Sequence, residues 1–322
     1  MAKKQEEPKP AQVQTQHVED AVAKEKMPDE AGVRASLGAQ RQHLEGLGAA
    51  WTAVTGLPAR QVIPQVIGTV LKEGGTRPAW QWQTAKEDYV LMAWPKEQPL
   101  RASVLLRGLK GEQLKPVSAV PLLEGLPNDL TVETVHPWEQ GCGANVGVSM
   151  LESGQPMWFY DPLYERDKGD LTVDVTHTFL LSALAFGVRK ALLDDITLTN
   201  GPAYEAYAQA WLEEHPDQSR LDVPPLKLNV AGKHIIHPGH AFCEYQLRCS
   251  VLEVDQAELD NMPITVLYTR FPFEDARPPL ELPIYVAKLN LGSFEPKVGD
   301  EIDAYVWLQG RVIDWDSSST DE

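Results

Sequence analysis

Residues 243–251 read Cys-Glu-Tyr-Gln-Leu-Arg-Cys-Ser-Val, and apolar residues alternate strictly with polar ones. Successive side chains of a β-strand point to opposite faces, so this pattern predicts a half-buried strand with Cys243 and Cys249 in the core. Further strands are predicted downstream, over residues 264–271, 282–288, 301–308 and 311–313, with Gly310 placed for a bulge. Because no helical pattern separates these strands, we expect a mainly antiparallel, barrel-like sheet over about 242–314, for which an OB-like barrel is one candidate.

The residues upstream predict two helices followed by strands, of which the first form a small antiparallel sheet. Apolar residues recur at helical spacing over 44–54 and 62–71, and Pro64 fits the second helix only within its first turn. Strand patterns follow at 80–82, 89–94, 103–106, 131–135, 145–150 and 157–160. We therefore predict an α+β fold.

The segment 171–214 predicts three more elements. Leu171, Val173 and Val175 alternate with polar residues, which predicts a half-buried strand. Small residues over 179–191 would allow close packing of a helix, and a clear helical pattern covers 204–214.

Composition divides the chain into three predicted regions. Residues 1–42 are predicted to be a disordered tail, because no aromatic residue precedes Trp51 and no leucine precedes Leu37. We expect an N-terminal α+β unit over 43–130 and a C-terminal α+β part over 131–322, which ends in the barrel-like sheet.

The charge of the chain excludes some partners. The chain carries 29 Lys and Arg against 46 Asp and Glu, and residues 151–322 hold 13 basic and 29 acidic residues. This acidic half disfavours nucleic acid and anionic membranes, and it favours another protein, one of basic surface among the candidates. No run reaches the ~18 apolar residues of a membrane span, there is no secretory signal, and three cysteines form no disulfide framework. We therefore expect a cytoplasmic protein.

Three segments together carry a resemblance. They are residues 159–164 (Phe-Tyr-Asp-Pro-Leu-Tyr), residues 181–186 (Leu-Ser-Ala-Leu-Ala-Phe), and Gly299-Asp300 followed by residues 307–310 (Trp-Leu-Gln-Gly). The set resembles an uncharacterised bacterial protein family that combines an FFDPLY-like turn with a terminal GD…WLQG strand. The resemblance covers at most residues 130–313 and implies a bacterial origin, but no activity.

A metal site is one candidate among the chemical patterns. His234, His237, His240 and Cys243 lie within ten residues, and imidazole and thiolate are the preferred ligands of zinc. Pro238 interrupts any helix that would bring them to one face, so a polar loop is the alternative interpretation.

A nucleophilic cysteine is the second candidate. Cys142 lies between two glycines, six residues after His136, and a thiolate nucleophile needs a nearby base. A tight glycine turn that carries a small apolar thiol explains the same residues.

A cluster of carboxylates is the third candidate. Asp161, Glu165, Asp167, Asp170 and Asp174 fall within fourteen positions, and they would suit a hard cation or acid–base chemistry. The order of residues in a calcium loop is missing, and turn preference explains Asp161 before Pro162 equally well.

The remaining features of the sequence are its tryptophans and the absence of common catalytic motifs. Trp80, Trp82, Trp94 and Trp138 are dense enough to mark a recognition surface, although packing in the core is favoured. The nucleotide-binding and hydrolase motifs GxGxxG, GxxxxGK[ST], GxSxG and HExxH do not occur. We therefore predict a non-enzymatic protein-binding or scaffold module without a cofactor; the alternative is a metal-dependent enzyme that uses zinc at His234, His237 and His240.

Overall fold

A computed structural model describes residues 47–74, 78–138, 142–150, 155–191, 195–239, 241–272 and 278–313. The predicted tail over 1–42 lies outside the described residues. The chain divides into two compact units: among the described residues, 195–231 belong to the smaller unit and all others to the larger unit.

The described residues form mostly strands and few helices, which confirms the predicted α+β class. The helices are α1 (Gly48–Thr55), α2 (Ala59–Glu73), α3 (Tyr164–Asp167), α4 (Pro202–Glu214) and α5 (Lys288–Leu291). The strands are β1 (Trp80–Gln83), β2 (Glu87–Trp94), β3 (Leu100–Leu109), β4 (Lys115–Leu123), β5 (Leu126–Pro137), β6 (Ala144–Met150), β7 (Gln155–Asp161), β8 (Thr176–Lys190), β9 (Asp195–Leu198), β10 (Leu226–Asn229), β11 (Ile235–Pro238), β12 (Glu244–Leu259), β13 (Met262–Phe271), β14 (Leu280–Ala287) and β15 (Glu301–Val312). No helix of this described part is long and apolar enough to cross a membrane.

The first sheet of the larger unit has four antiparallel strands in the order β1-β2-β3-β4. Helix α2 contacts β2, β3 and β4 on one face, where Val62 and Val70 are buried. The opposite face holds Leu91 and Leu105, and Leu163 from the segment after β7 packs against them with no exposed surface. Burying a leucine side chain fully contributes roughly 2 kcal/mol, so this contact ties the segment after β7 to the sheet.

The second sheet has nine strands in the order β11-β12-β13-β14-β8-β15-β7-β6-β5. Two additional pairings, β12 with β15 and β5 with β8, close the hydrogen bonds into rings. One ring runs through β12, β13, β14, β8 and β15, and the other through β8, β15, β7, β6 and β5, so β8 and β15 belong to both. The sheet is mixed, because β14 pairs with β8 and β15 pairs with β7 in parallel. The predicted OB-like topology is not confirmed.

Two predicted elements of the segment 171–191 are wrong. Residues 179–191 are predicted as a helix, but residues 179–190 lie in strand β8, where Phe179, Leu181 and Ala183 are buried in the core. Residues 171–175 form no strand but contain a turn at residues 173–174, and Val173 and Val175 are 47% and 42% exposed. The strand begins at Thr176, although Asp174 and Val175 already exchange backbone hydrogen bonds with Val132 of β5.

Two further expectations about single residues are also wrong. Pro64 lies in the second turn of α2, on the exposed side of the helix. Proline has no N–H for the carbonyl one turn earlier, and on this side of the helix that carbonyl can bond to water instead. Gly310 lies in regular strand, and the register shift of β15 falls between Tyr305 and Val306. A Cβ atom at Gly310 would come within 2.6 Å of side-chain carbons of Leu181 and Phe159, so close packing explains this glycine.

The smaller unit contains β9, α4 and β10. The two strands pair antiparallel, and α4 buries Tyr204 and Ala208 against Val223 and Leu226. Helix α4 confirms the predicted helix over 204–214. The predicted domain boundaries stay a prediction; the one between residues 130 and 131 falls inside β5.

Candidate functional site

The predicted metal ligands lie around β11 and the start of β12. His237 is half-buried on β11, whereas His234 precedes the strand, is exposed, and places its ring 5.9 Å from that of Phe271. Residues three apart along an extended chain point to opposite faces, which separates these two imidazoles. His240 lies outside the described residues.

Cys243 has a structural environment. It is buried with a φ of 63°, its Sγ lies 3.6 Å from Oδ1 of Asn145, and burial raises the pKa of the thiol well above its usual value. Among the residues that the structure describes, no three His, Cys, Asp or Glu side chains form a group that could hold a metal. The four-residue metal site therefore stays a prediction.

Cys142 and His136 occupy different surroundings. The Cys142 thiol is 1% exposed and contacts the carbonyl oxygen of Val117 at 3.6 Å, and burial raises its pKa to about 11. The ring of His136 packs 4.9 Å from Trp158 and 6.4 Å from Phe242, and burial lowers its pKa. Because the thiolate is the nucleophile, these shifts oppose the chemistry that a catalytic role for Cys142 requires.

The predicted carboxylate cluster separates into different roles. Asp161 ends β7 fully buried; its Oδ1 accepts the N–H of Leu163 at 2.8 Å, and its Oδ2 has no hydrogen-bond partner. Burial, followed by the charge of Asp167, raises the pKa of Asp161 to about 8. Asp167 binds both Nε and Nη2 of Arg166, at 2.5 and 2.8 Å, while Asp170 is exposed in the next turn.

Three arginines from separate elements meet around one tryptophan ring. The guanidinium carbons of Arg101, Arg166 and Arg311 lie 5.7, 5.9 and 5.4 Å from the ring centroid of Trp80. Arg101 comes from β3, Arg166 from α3 and Arg311 from the end of β15. All three distances fall within the range of cation–π attraction. We call Trp80 and these three residues the Trp80–arginine cluster.

The carboxylates of Glu124 and Asp167 balance part of this charge, and Asp167 does so through its two hydrogen bonds with Arg166. Glu124 bridges two of the arginines, with Oε2 3.3 Å from Nη2 of Arg101 and Oε1 2.8 Å from Nη2 of Arg311. The Glu124 side chain is 45% exposed, whereas those of Arg101 and Arg311 are only 14% and 9% exposed. The Nε atoms of both arginines are buried without an acceptor. Burial, opposed by the Glu124 charge, lowers the pKa of Arg101.

The cluster keeps a positive charge in an acidic chain. Three arginines against Glu124 and Asp167 leave a net charge of +1 when Asp161 is protonated, as its pKa of about 8 implies at neutral pH. Sequence reasoning missed this group because its members are far apart in the chain. The density of tryptophans in the sequence indicated Trp80 as a candidate for a recognition surface, but it did not indicate the three arginines around it.

A second polar surface lies at the far end of the β12–β13 hairpin. Beyond Ser250, β12 no longer pairs with β15, and its exposed carboxylates lie on the part that pairs with β13 alone. No Lys or Arg occurs between Arg248 and Arg270. We call the exposed residues Glu253, Asp255, Glu258 and Asp260 the acidic hairpin.

Comparison with known proteins adds no assignment, because no family model, no curated protein and no solved structure matches the chain. The fold and the sites of the described residues therefore define the chain as an α+β protein, composed mostly of strands, that contains the Trp80–arginine cluster and the acidic hairpin.

Proposed function

We propose that the chain is a non-enzymatic protein-binding or scaffold module of the bacterial cytoplasm, which contacts a basic partner protein through the acidic hairpin. The observation that carries the proposal is a set of four exposed carboxylates within residues 249–269, a segment that contains no Lys or Arg. Clustered charge of one sign attracts a partner of opposite charge and speeds its association.

The surroundings of the hairpin support a contact through side chains. Leu252 is 49% exposed at the register shift, and Tyr268 pairs with Glu253 across the hairpin. Burial, followed by the charges of Asp255 and Glu253, raises the pKa of the Tyr268 phenol. An exposed apolar residue and an aromatic ring beside charges are more typical of a protein interface than of a surface that only contacts water.

Addition of a partner strand to this edge fits less well. The N–H of Gln256 donates to Oδ1 of Asp255 at 2.7 Å, and that of Glu258 donates to Oε1 of Gln98 at 3.3 Å. Side chains thus occupy backbone groups at the edge of the sheet that an added strand would need.

We further propose that the hydrogen-bonded rings act as barrel-like scaffolds that hold the hairpin.

The experiment compares two variants of equal net charge. Glu253→Gln, Asp255→Asn and Glu258→Gln neutralise the hairpin, while Glu112→Gln, Glu133→Gln and Glu295→Gln neutralise three exposed acids elsewhere. A partner captured with the wild-type chain is identified, and its Kd is then measured by calorimetry against each purified variant at low and moderate salt.

We expect the hairpin variant to bind at least about tenfold more weakly and with a smaller salt dependence, while the control variant binds as the wild type does. Equal losses in both variants, or no loss in the hairpin variant, would contradict the proposal, because the overall charge or another surface would then carry the binding.

A further inference from the structure

We propose that the Trp80–arginine cluster binds the dianion of a phosphate monoester, which takes the position of the Glu124 carboxylate between Arg101 and Arg311. This inference is independent of the acidic hairpin and of the basic partner proposed for it.

The cluster has the donors that such a ligand needs. The guanidinium group is a planar fork whose N–H groups match the oxygens of phosphate, and two or more forks are commonly used for one anion. Arg101 and Arg311 come from different sheets, yet both guanidinium groups contact Glu124, so they already converge on a single oxyanion. The Nε–H group of each arginine is buried and has no acceptor, so each guanidinium group keeps a donor that Glu124 does not use.

Glu124 is suited to leave this position. It lies between β4 and β5, and its backbone is fixed on both sides, because its N–H donates to the carbonyl of Pro99 at 2.7 Å and its carbonyl accepts the Tyr285 hydroxyl at 2.9 Å. The side chain is 45% exposed and has a path into water, whereas the arginines that it contacts are buried. The carboxylate can therefore rotate out while the loop and the arginines stay in place.

The charge of the cluster selects a dianion. With Asp161 protonated and Glu124 displaced, the three arginines and Asp167 leave a charge of +2, because Asp167 remains bound to Arg166. A phosphate monoester has a second pKa near 6 and so carries close to two negative charges at neutral pH. A carboxylate supplies only the single charge that Glu124 already provides, and so it gains nothing by displacing Glu124.

The alternative is that the cluster only joins the two sheets of the larger unit. The two interpretations differ in the effect of Glu124→Gln. If Glu124 competes with a ligand, this variant binds phosphate more tightly; if the cluster is only an ion-pair network, the variant gains no affinity for any anion.

The test is a calorimetric titration with inorganic phosphate, with acetate as the monoanion control. We expect Glu124→Gln to bind phosphate about tenfold more tightly than the wild type. The double variants Glu124→Gln/Arg311→Lys and Glu124→Gln/Arg101→Gln should lose this gain, because a fork is removed. Glu281→Gln is the matched control, since it frees the surface residue Arg270 in the same way.

Two results would overturn the proposal: no saturable phosphate binding in Glu124→Gln, or equal tightening in Glu281→Gln. Thermal unfolding of each variant checks that it is folded, and the second arginine variant keeps the test valid if the first does not fold. Parallel titrations with glycerol phosphate and with a phosphoserine peptide then identify the kind of phosphate monoester that binds. Tighter binding of glycerol phosphate indicates a small molecule, and tighter binding of the peptide indicates a phosphorylated protein.

Discussion

At the scale of single residues, Asp161 links folding to pH. Its carboxyl is fully buried, and burial followed by the Asp167 charge raises its pKa to about 8 from an ordinary value of 3.8. The folded chain therefore binds more protons than the unfolded chain between these values. The contribution to stability is complete below pH of about 4 and is lost as pH rises through about 8.

Asp161→Asn tests this linkage. Asparagine keeps an oxygen for the N–H of Leu163 and carries no charge, so the variant should lose the Asp161 contribution to the pH dependence. We expect it to gain stability over the wild type as pH rises from 5 to 9, by an amount on the order of 1 kcal/mol or more. Urea unfolding at pH 5, 7 and 9 measures the difference, and a difference that is constant with pH would contradict the expectation.

The cysteines give a second prediction at this scale. Burial raises the pKa of Cys142 to about 11 and of Cys249 to about 12, and each is 1% exposed. We therefore expect Cys142 of the folded chain to react with a neutral thiol reagent at pH 7 no faster than Cys249, and both to react only after unfolding. Mass spectrometry of labelled peptides measures both rates. Rapid labelling of Cys142 alone would restore the hypothesis of a nucleophile.

The histidine cluster gives a third prediction. His234 and His237 point to opposite faces, and Cys243 is buried beside Asn145, so we expect freshly purified protein to hold less than about a tenth of an equivalent of transition metal. Elemental analysis of the untagged chain and of His237→Ala provides the measurement. A stoichiometric metal that is lost in the variant would favour the metal-dependent enzyme instead.

At the scale of elements, local patterns predicted the strands that are buried on one face. Residues 243–251 alternate, and the apolar face of β12 is buried as the pattern predicts. On the polar face Gln246 is exposed, whereas Arg248 is buried in an ion pair with Asp303. The sequence of β8 did not predict a strand. This strand pairs with β5, β14 and β15, and it is buried over most of its length. A strand covered on both faces shows no alternation, and its small residues then imitate a helix.

Gly310 provides a prediction for the contact between β15 and its neighbours. Gly310→Ala places a methyl group within 2.6 Å of Leu181 and Phe159 side chains, so we expect a loss of about 1–3 kcal/mol in the free energy of unfolding. Gly187→Ala in β8 is the matched control, because a Cβ atom there has no neighbour within 4 Å. Urea unfolding compares the two, and similar losses would show that strand propensity rather than packing sets the cost.

At the scale of the whole molecule, the sequence could not predict the features that depend on contacts between residues far apart in the chain. The rings exist because residues near 180 pair with residues near 130 and 305, and the Trp80–arginine cluster joins four positions between 80 and 311. Each arginine alone resembles any surface residue. Only the folded chain brings their charges together, and the short motifs of the sequence indicate histidines and cysteines instead.

The insertion of the smaller unit gives the last prediction. Both junctions of the larger unit lie at Glu301: Ala191 donates its N–H to the Glu301 carbonyl at 2.8 Å, and a Cβ atom at Gly232 would lie 3.7 Å from the Glu301 carboxylate. Ends this close can be joined by a short glycine-serine linker in place of residues 192–231. We expect the shortened chain to unfold cooperatively, with a Tm within about 5 °C of the full chain.

The shortened chain also separates the two units in function. The acidic hairpin and the Trp80–arginine cluster both belong to the larger unit, so phosphate binding by Glu124→Gln should be unchanged by the deletion. Circular dichroism gives the Tm, and calorimetry gives the Kd for phosphate. A chain that fails to fold would show that the larger unit depends on the insertion, while a folded chain that loses phosphate binding would show that residues 192–231 contribute to the site.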